Sequence, residues 1–255
     1  PVSEYASGLE GFLSEVVKPE SVVIFHENTT FGTKGAKAFK KSCEKLGFEV
    51  KAVESYTEGT VDFKPLLIKV KKHNPDVVYM ISYVMDAALL MKQSKELKLS
   101  PKLFVGAGAG YTMPAFKENA GVASEKVVSA TLWHQSLPIP GATDYYNAYV
   151  ARFDGKSPPD YHGVEAYASA YVIKDALERA KTLSSEDIKT ALDATDMMTA
   201  FGPVKFTEYE KKIHQNKMKT YVVQWIDGDL KLIWPANLAN AKYAYPIDWA
   251  KEWAK

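Results

Sequence analysis

Cysteine is nearly absent: Cys43 is the only one in 255 residues. No internal disulfide can form, which suits a reducing compartment or an exported protein that folds without cross-links, and does not choose between them. Long apolar runs are missing too. Nothing approaches the roughly 20 residues that cross a bilayer, and the start carries no basic-then-apolar export signal, so we expect a soluble chain from which any signal has been removed. Charge of either sign is not in excess: 32 basic residues face 31 acidic ones, a net charge of +1, and neither sign gathers into a block. That excludes a nucleic-acid track and an anionic-membrane surface. The five histidines, His26, His73, His134, His162 and His214, are scattered without an HxH or HExxH pair, so no metal site is expected. There is no GxSxG elbow, and Cys43 lies in the helical pattern AKAFKKSCEKLG among lysines, with no base to activate it. Catalysis finds little support, and no cofactor is expected.

What is present is apolar mass: 46% of residues are hydrophobic and 12% aromatic, enough for one large domain or two small ones. The most informative stretch is SVVIFHENTTFG, Ser21 to Gly32. Val22 to Phe25 form the unbroken apolar run of a parallel strand covered on both faces. His26 to Thr30 then place polar residues at its carboxyl end, before a helix from Lys34 to Leu46. In open α/β sheets, ligands sit in the crevice beyond the strand carboxyl ends. Before this stretch, Ser3 to Val17 has a helical period with Ser3 as a candidate cap. After it, strands at Phe48–Tyr56, Asp76–Tyr83, Lys102–Val105 and Lys126–Trp133 alternate with helices from Phe63, Asp86 and Met113, Asp86 being read as an N-cap. Such alternation means a parallel sheet with right-handed crossovers.

Past Trp133 the texture changes. SLPIPG, Ser136 to Gly141, reads as a linker, and three helices follow, at Ala142–Phe153, Tyr161–Lys181 and Ser185–Ala194, with no strand between them. Strands return at Val204–Phe206 and at Tyr221–Trp234, where Asp227-Gly228 signals a hairpin. The expectation is one unit from residues 1–135 and 203–235 sharing a single sheet, a second from 136–202, and a strap at 236–255. The strap's aromatics, Tyr243, Tyr245, Trp249 and Trp253, read as packing groups.

An ordered set of segments carries a resemblance: SVVIFHENTTFG, DFKPLLIKVKKHNPDVVYMISYVMDAALLMKQSKELKL, FVGAG, PDYHGVEAYASAYVIKDALERA and FGPVKFTE. With this spacing the chain resembles substrate-binding proteins of ABC importers, of the branched-chain amino-acid (Leu/Ile/Val) type, over nearly its whole length. The resemblance implies an α/β, type I periplasmic-binding-protein-like fold, with two Rossmann-like lobes of parallel sheet joined by crossover strands. It also implies that the N-terminal part of lobe 1 is absent here, and that 136–202 is the returning part of that lobe. The implied function is delivery of a small hydrophobic amino acid or related carboxylate to a membrane permease, in the periplasm or outside the cell, by a monomer. A ligand-sensing receptor domain and an aromatic-acid binder are the alternatives.

The candidate ligand-binding residues follow. Phe31 stands where the family places an aromatic wall, although an aromatic before a helix is also ordinary loop packing. Tyr83 ends the third strand and is read as lining the cleft; Tyr111 is read as another aromatic wall. Trp133 ends the fifth strand, where cleft lining and core burial are both open. Tyr161 and Glu165 lie at a helix start implied to face the ligand. GAGAG, Gly106 to Gly110, lacks the third glycine of a dinucleotide fingerprint, since Tyr111 holds that position, and it follows the fourth strand rather than the first. In the family's amino-acid binders an acid in this loop pairs with the ligand ammonium; here the place falls to Gly108. Either Glu27 or Glu165 takes that role, or the ligand carries no ammonium.

Overall fold

The computed structural model describes residues 4–153, 155, 158–209 and 211–254; the candidate cap Ser3 lies outside them. The chain divides into two compact units, Pro1–Thr131 with Thr220–Lys255, and Leu132–Lys219.

Unit 1 is built on a mixed seven-stranded sheet. Its strands are β1 (Ser21–Glu27), β2 (Glu49–Tyr56), β3 (Val77–Ile81), β4 (Leu103–Ala107), β5 (Val128–Thr131), β9 (Tyr221–Ile226) and β10 (Asp229–Trp234), in the spatial order β10-β9-β5-β4-β3-β1-β2. β2, β1, β3, β4 and β5 run parallel, and the β9–β10 hairpin adds to β5 antiparallel. The expected hairpin forms at Asp227-Gly228, both with positive φ, 53° and 83°, as a type I′ turn demands.

The continuous apolar runs are explained by two cores, one on each face. Val23, Phe25, Val78, Met80 and Phe104 enter one core, while Val22, Ile24, Val77, Tyr79 and Val105 enter the other, so alternate residues face opposite layers and none faces water. Helices α1 (Ser7–Phe12, continued by a π-helical turn to Val17) and α2 (Thr30–Leu46) cover the second face, through Leu9, Phe12, Phe39 and Cys43. Helices α3 (Lys64–His73), α4 (Val84–Glu96) and α5 (Pro114–Ala120) cover the first, through Leu67, Leu90, Met91 and Phe116. The C-terminal segment packs on both faces. Trp249, at the start of α9 (Trp249–Glu252), is buried against Phe104 and donates from Nε1 to the Pro101 carbonyl at 2.7 Å, whereas the Tyr245 hydroxyl donates to the Val17 carbonyl at 2.9 Å.

Unit 2 holds α6 (Ala142–Arg152), α7 (Tyr161–Arg179) and α8 (Ser185–Asp193), followed by a short antiparallel sheet of β6 (Asp196–Thr199), β7 (Gly202–Tyr209) and β8 (Lys212–Asn216). Here the sequence reading needs correction. Val204–Phe206 does not join the large sheet: Val204 pairs with Met197 in β6, and Phe206 pairs with Asn216 in β8. Neither partner strand has an apolar alternation of its own, so nothing local announced them.

Candidate functional site

Three parallel strands end together at one edge of unit 1. The register His26↔Ile81 and Ile81↔Ala107 aligns the carboxyl ends of β1, β3 and β4. The loops that follow therefore start side by side, and two of them lead directly into helices. Phe31 sits in the first turn of α2, whose N-cap Thr29 accepts from the Phe31 amide at 3.3 Å. Tyr83 is the N-cap of α4, with no side-chain cap closing that helix. The two rings lie 5.8 Å apart at 33°. Tyr83 is 41% exposed, too much for a ring serving only the core. Gly108 completes the group with φ +90°, and a Cβ there would fall 2.8 Å from Phe31 Cζ. Phe31, Tyr83 and Gly108 are thus brought together: an aromatic pair beside a glycine that must stay bare.

Beneath this rim lies a buried polar layer, and two expected site residues belong to it. The Glu27 carboxylate is wholly buried. It accepts from the Thr29 and Gly32 amides and, at 2.9 Å, from the Thr29 hydroxyl, satisfying orphan donors at the N-terminus of α2. It is turned inward, so it is not free to meet a ligand ammonium. Gly32 is required by the same arrangement, since a Cβ there would lie 2.1 Å from the Glu27 carbonyl oxygen. Tyr111 is fully buried as well. Its ring fills the space beside Gly106, where a Cβ would come 2.1 Å from it, and its hydroxyl donates to Ser82 Oγ at 3.0 Å. Tyr111 is core support, not a wall. The glycines of GAGAG are explained by close packing, since a Cβ on Gly110 would come 2.1 Å from the Ser82 carbonyl oxygen.

Asp86 also departs from expectation. It is not the N-cap but the third residue of α4, nearly buried, and its carboxylate accepts from the Gly59 amide at 3.3 Å. Burial pushes its carboxyl above the ordinary value, and the nearby Glu27 charge adds to this, against the Gly59 hydrogen bond. One helical face further along, Gln93 accepts from the Phe63 amide at 2.6 Å and donates to the Val61 carbonyl at 3.0 Å. Two buried polar residues seven apart on one helix therefore fasten the loop between β2 and α3. Their spacing of two helical turns, which puts both on one helix face, is the signal in the sequence. The Tyr56 hydroxyl lies near Ser82 and Asp86 without a well-formed bond to either, and burial raises its pKa.

The remaining candidates belong to unit 2. Trp133 is buried; its Nε1 donates to the Ala200 carbonyl at 2.9 Å, and its ring meets Tyr145 edge-on at 6.0 Å, which makes it a core residue of that unit. Tyr161 is the buried first residue of α7 and stacks on His162 at 4.0 Å. Asp160 caps α7 by accepting from the Gly163 amide at 3.3 Å, and its contact with His162 Nδ1 raises that imidazole's pKa. Glu165 is exposed on α7. Among the described residues no cluster of three or more potential ligands could hold a metal, and no helix is long and apolar enough to cross a membrane.

Comparison with known proteins places this geometry. The chain is 29% identical over 247 residues to Leu/Ile/Val-binding protein homolog 8 of Brucella abortus, covering 93% of this chain and 60% of that protein. The leucine-binding protein LivK of Thermotoga maritima superposes with a TM-score of 0.82 at 22% identity, over 91% of this chain and 64% of that one. An R. palustris ABC-transporter solute-binding protein in complex with benzoate gives 0.81 at 17% identity, over 97% and 66%. The chain spans about three-fifths of the length of the curated relatives it matches. The periplasmic binding protein family model matches residues 3–229, nearly nine-tenths of the sequence, and the chain belongs to that family.

Proposed function

We propose that the chain is part of an extracytoplasmic solute-binding protein that captures a small hydrophobic carboxylate, a branched-chain amino acid first of all, and hands it to the permease of an ABC importer without chemically changing it. What carries the reading is the convergence of Phe31, Tyr83 and Gly108 at the carboxyl edge of the parallel sheet. An aromatic pair, Tyr83 exposed and Phe31 half-buried, offers apolar contact to a ligand side chain. The uncapped N-terminus of α4 at Tyr83 adds the positive end of a helix dipole, suited to a carboxylate. The family is one of binding proteins, and the Leu/Ile/Val-binding names of its relatives support the ligand class.

A second reading, an aromatic or keto acid without an ammonium group, is favoured by one observation: Glu27 is consumed in holding α2, while Gly108 has no side chain. An ammonium removed from water without a paired acid costs several kcal/mol. The benzoate complex of a solute-binding protein of like fold supports this reading. Thermal shift with leucine, isoleucine and valine, each beside its keto acid, and with benzoate, tests both. Stabilisation by leucine over its keto acid favours the first reading, and the reverse order favours the second. Selective stabilisation by lysine, arginine or a sugar overturns both.

A further inference from the structure

The first turn of α4 holds a carboxylate that the aromatic rim does not use. Tyr83 is the N-cap of this helix and Asp86 its third residue, so both stand in one turn, Tyr83 41% exposed at the rim and Asp86 6% exposed below it. Glu27 from β1, Tyr56 from β2 and the Gly59 amide from the loop after β2 face the Asp86 carboxylate. Tyr111, from the turn after β4, lies within reach of its charge. None of these groups is a cation. Glu58 and Asp62, in the same loop as Gly59, are exposed acids, and Lys92, the first lysine of α4, is exposed to solvent. The Tyr56 hydroxyl supplies an independent observation. Tyr56 is 5% exposed, and its hydroxyl has no hydrogen-bond partner, a costly state for a buried polar group. A hydroxyl accepts from a protonated carboxyl and donates to an ionised one. The place beside Asp86 is therefore furnished for the carboxyl in both of its states, whereas the Tyr111 hydroxyl is already committed to Ser82 Oγ.

We propose that Asp86 is a proton site coupled to the rim: a carboxylate ligand arriving at the first turn of α4 drives a proton from solvent onto Asp86, so that capture of the acid and uptake of the proton are one event. It rests on the reading that a ligand carboxylate is received at the positive end of α4. That helix end then faces two anions, the ligand from outside and Asp86 from within its own first turn. Like charges so close disfavour each other's ionised form, and one of the two must give way. The ligand, an α-keto or α-amino acid, is the stronger acid and keeps its charge. Asp86, buried and next to Glu27, already titrates above its ordinary 3.8, and with the ligand in place it titrates higher still. By linkage, affinity for the acid is greatest below the free value, falls as pH rises between the free and the bound values, and is constant above the bound one. A solute without a carboxylate shows no such dependence. Asp86 thus sets how strongly the rim prefers acids to uncharged solutes of the same shape.

The test is calorimetry with leucine and, separately, its keto acid, between about pH 5 and about pH 8, in buffers of differing ionisation enthalpy, so that the difference between buffers reads the protons taken up. The expected result is net proton uptake at the acid end of the range, with affinity there up to about tenfold higher than at the alkaline end, the change that one unit of displacement produces. Asp86→Asn keeps an acceptor for the Gly59 amide. It should bind the same acid up to about tenfold tighter than the parent at the alkaline end and take up no proton. A second measurement needs no substitution: the carboxyl carbon resonance of Asp86, titrated with and without saturating acid, should show a midpoint that rises on binding. Binding without proton uptake, uptake that persists in Asp86→Asn, or a midpoint that does not move overturns the inference and leaves the proposed function standing. Failure of both acids to bind at any pH overturns the reading on which the inference rests, and the inference with it.

Discussion

Helix α4 of unit 1 and helix α7 of unit 2 have comparable lengths, 13 and 19 residues, and opposite situations. The first lies against a sheet whose strands are buried on both faces, and its inward residues, Ala87, Leu90 and Met91, are fully covered. Even its polar Asp86 and Gln93 are engaged in holding a loop. The second helix buries one stripe and leaves another in water. Burial of about 25 cal/mol per Å² of apolar surface is the largest favourable contribution to folding. α4 takes that contribution along its inward face, while α7 leaves a second apolar stripe without it. The difference teaches that two helices of one chain can share an apolar period and still differ in whether both of their apolar stripes find a layer to cover.

The sharpest way to break the comparison is to disturb close packing in unit 1. Gly110→Ala would bring a Cβ 2.1 Å from the Ser82 carbonyl, and the backbone of two loops would have to move; the expected loss is about 3 kcal/mol or more, read from urea unfolding. A loss below about 1 kcal/mol would mean the strand ends are looser than described. Next comes the rim itself. Tyr83→Ala should weaken binding of the cognate ligand by about 1–3 kcal/mol with little change in fold stability, because the ring is 41% exposed; calorimetry that finds unchanged affinity would move the site elsewhere.

Asp86→Asn probes the polar layer and should have a smaller effect. The folded-state pKa of Asp86 is raised from its ordinary 3.8. Its contribution to stability is therefore fully present below about pH 4 and is lost as pH rises through the raised value. The asparagine variant, still able to accept from Gly59, should be more stable than the parent at pH 7, and this gain should vanish at pH 3. A gain that persists at pH 3 would show that ionisation is not its cause. The smallest effect is expected on unit 2: Tyr171→Ser should change the stability of the 255-residue chain by no more than about 0.5 kcal/mol. A loss above about 2 kcal/mol would mean that the exposed stripe is already covered, and the contrast between the two units would collapse.

Much of this molecule was decided locally. The apolar run Val22 to Phe25 required a strand covered on both sides, the regular strand–helix alternation required a parallel sheet, and Asp227-Gly228 required a tight hairpin, since each follows from periodicity or backbone preference within a few residues. The placing of Phe31 and Tyr83 at strand ends was legible for the same reason. The tertiary structure alone decided direction and partner. Glu27 next to a helix start reads equally well as a ligand acid or as a cap, and only the course of the α2 N-terminus turned it inward. Tyr111 became core because Gly106 left room for its ring. Val204–Phe206 joined β6 and β8, two strands with too little apolar pattern to be seen before pairing gave their backbone groups partners. A side-chain period identifies the face that must be buried, but what buries it is a long-range contact that no local window contains.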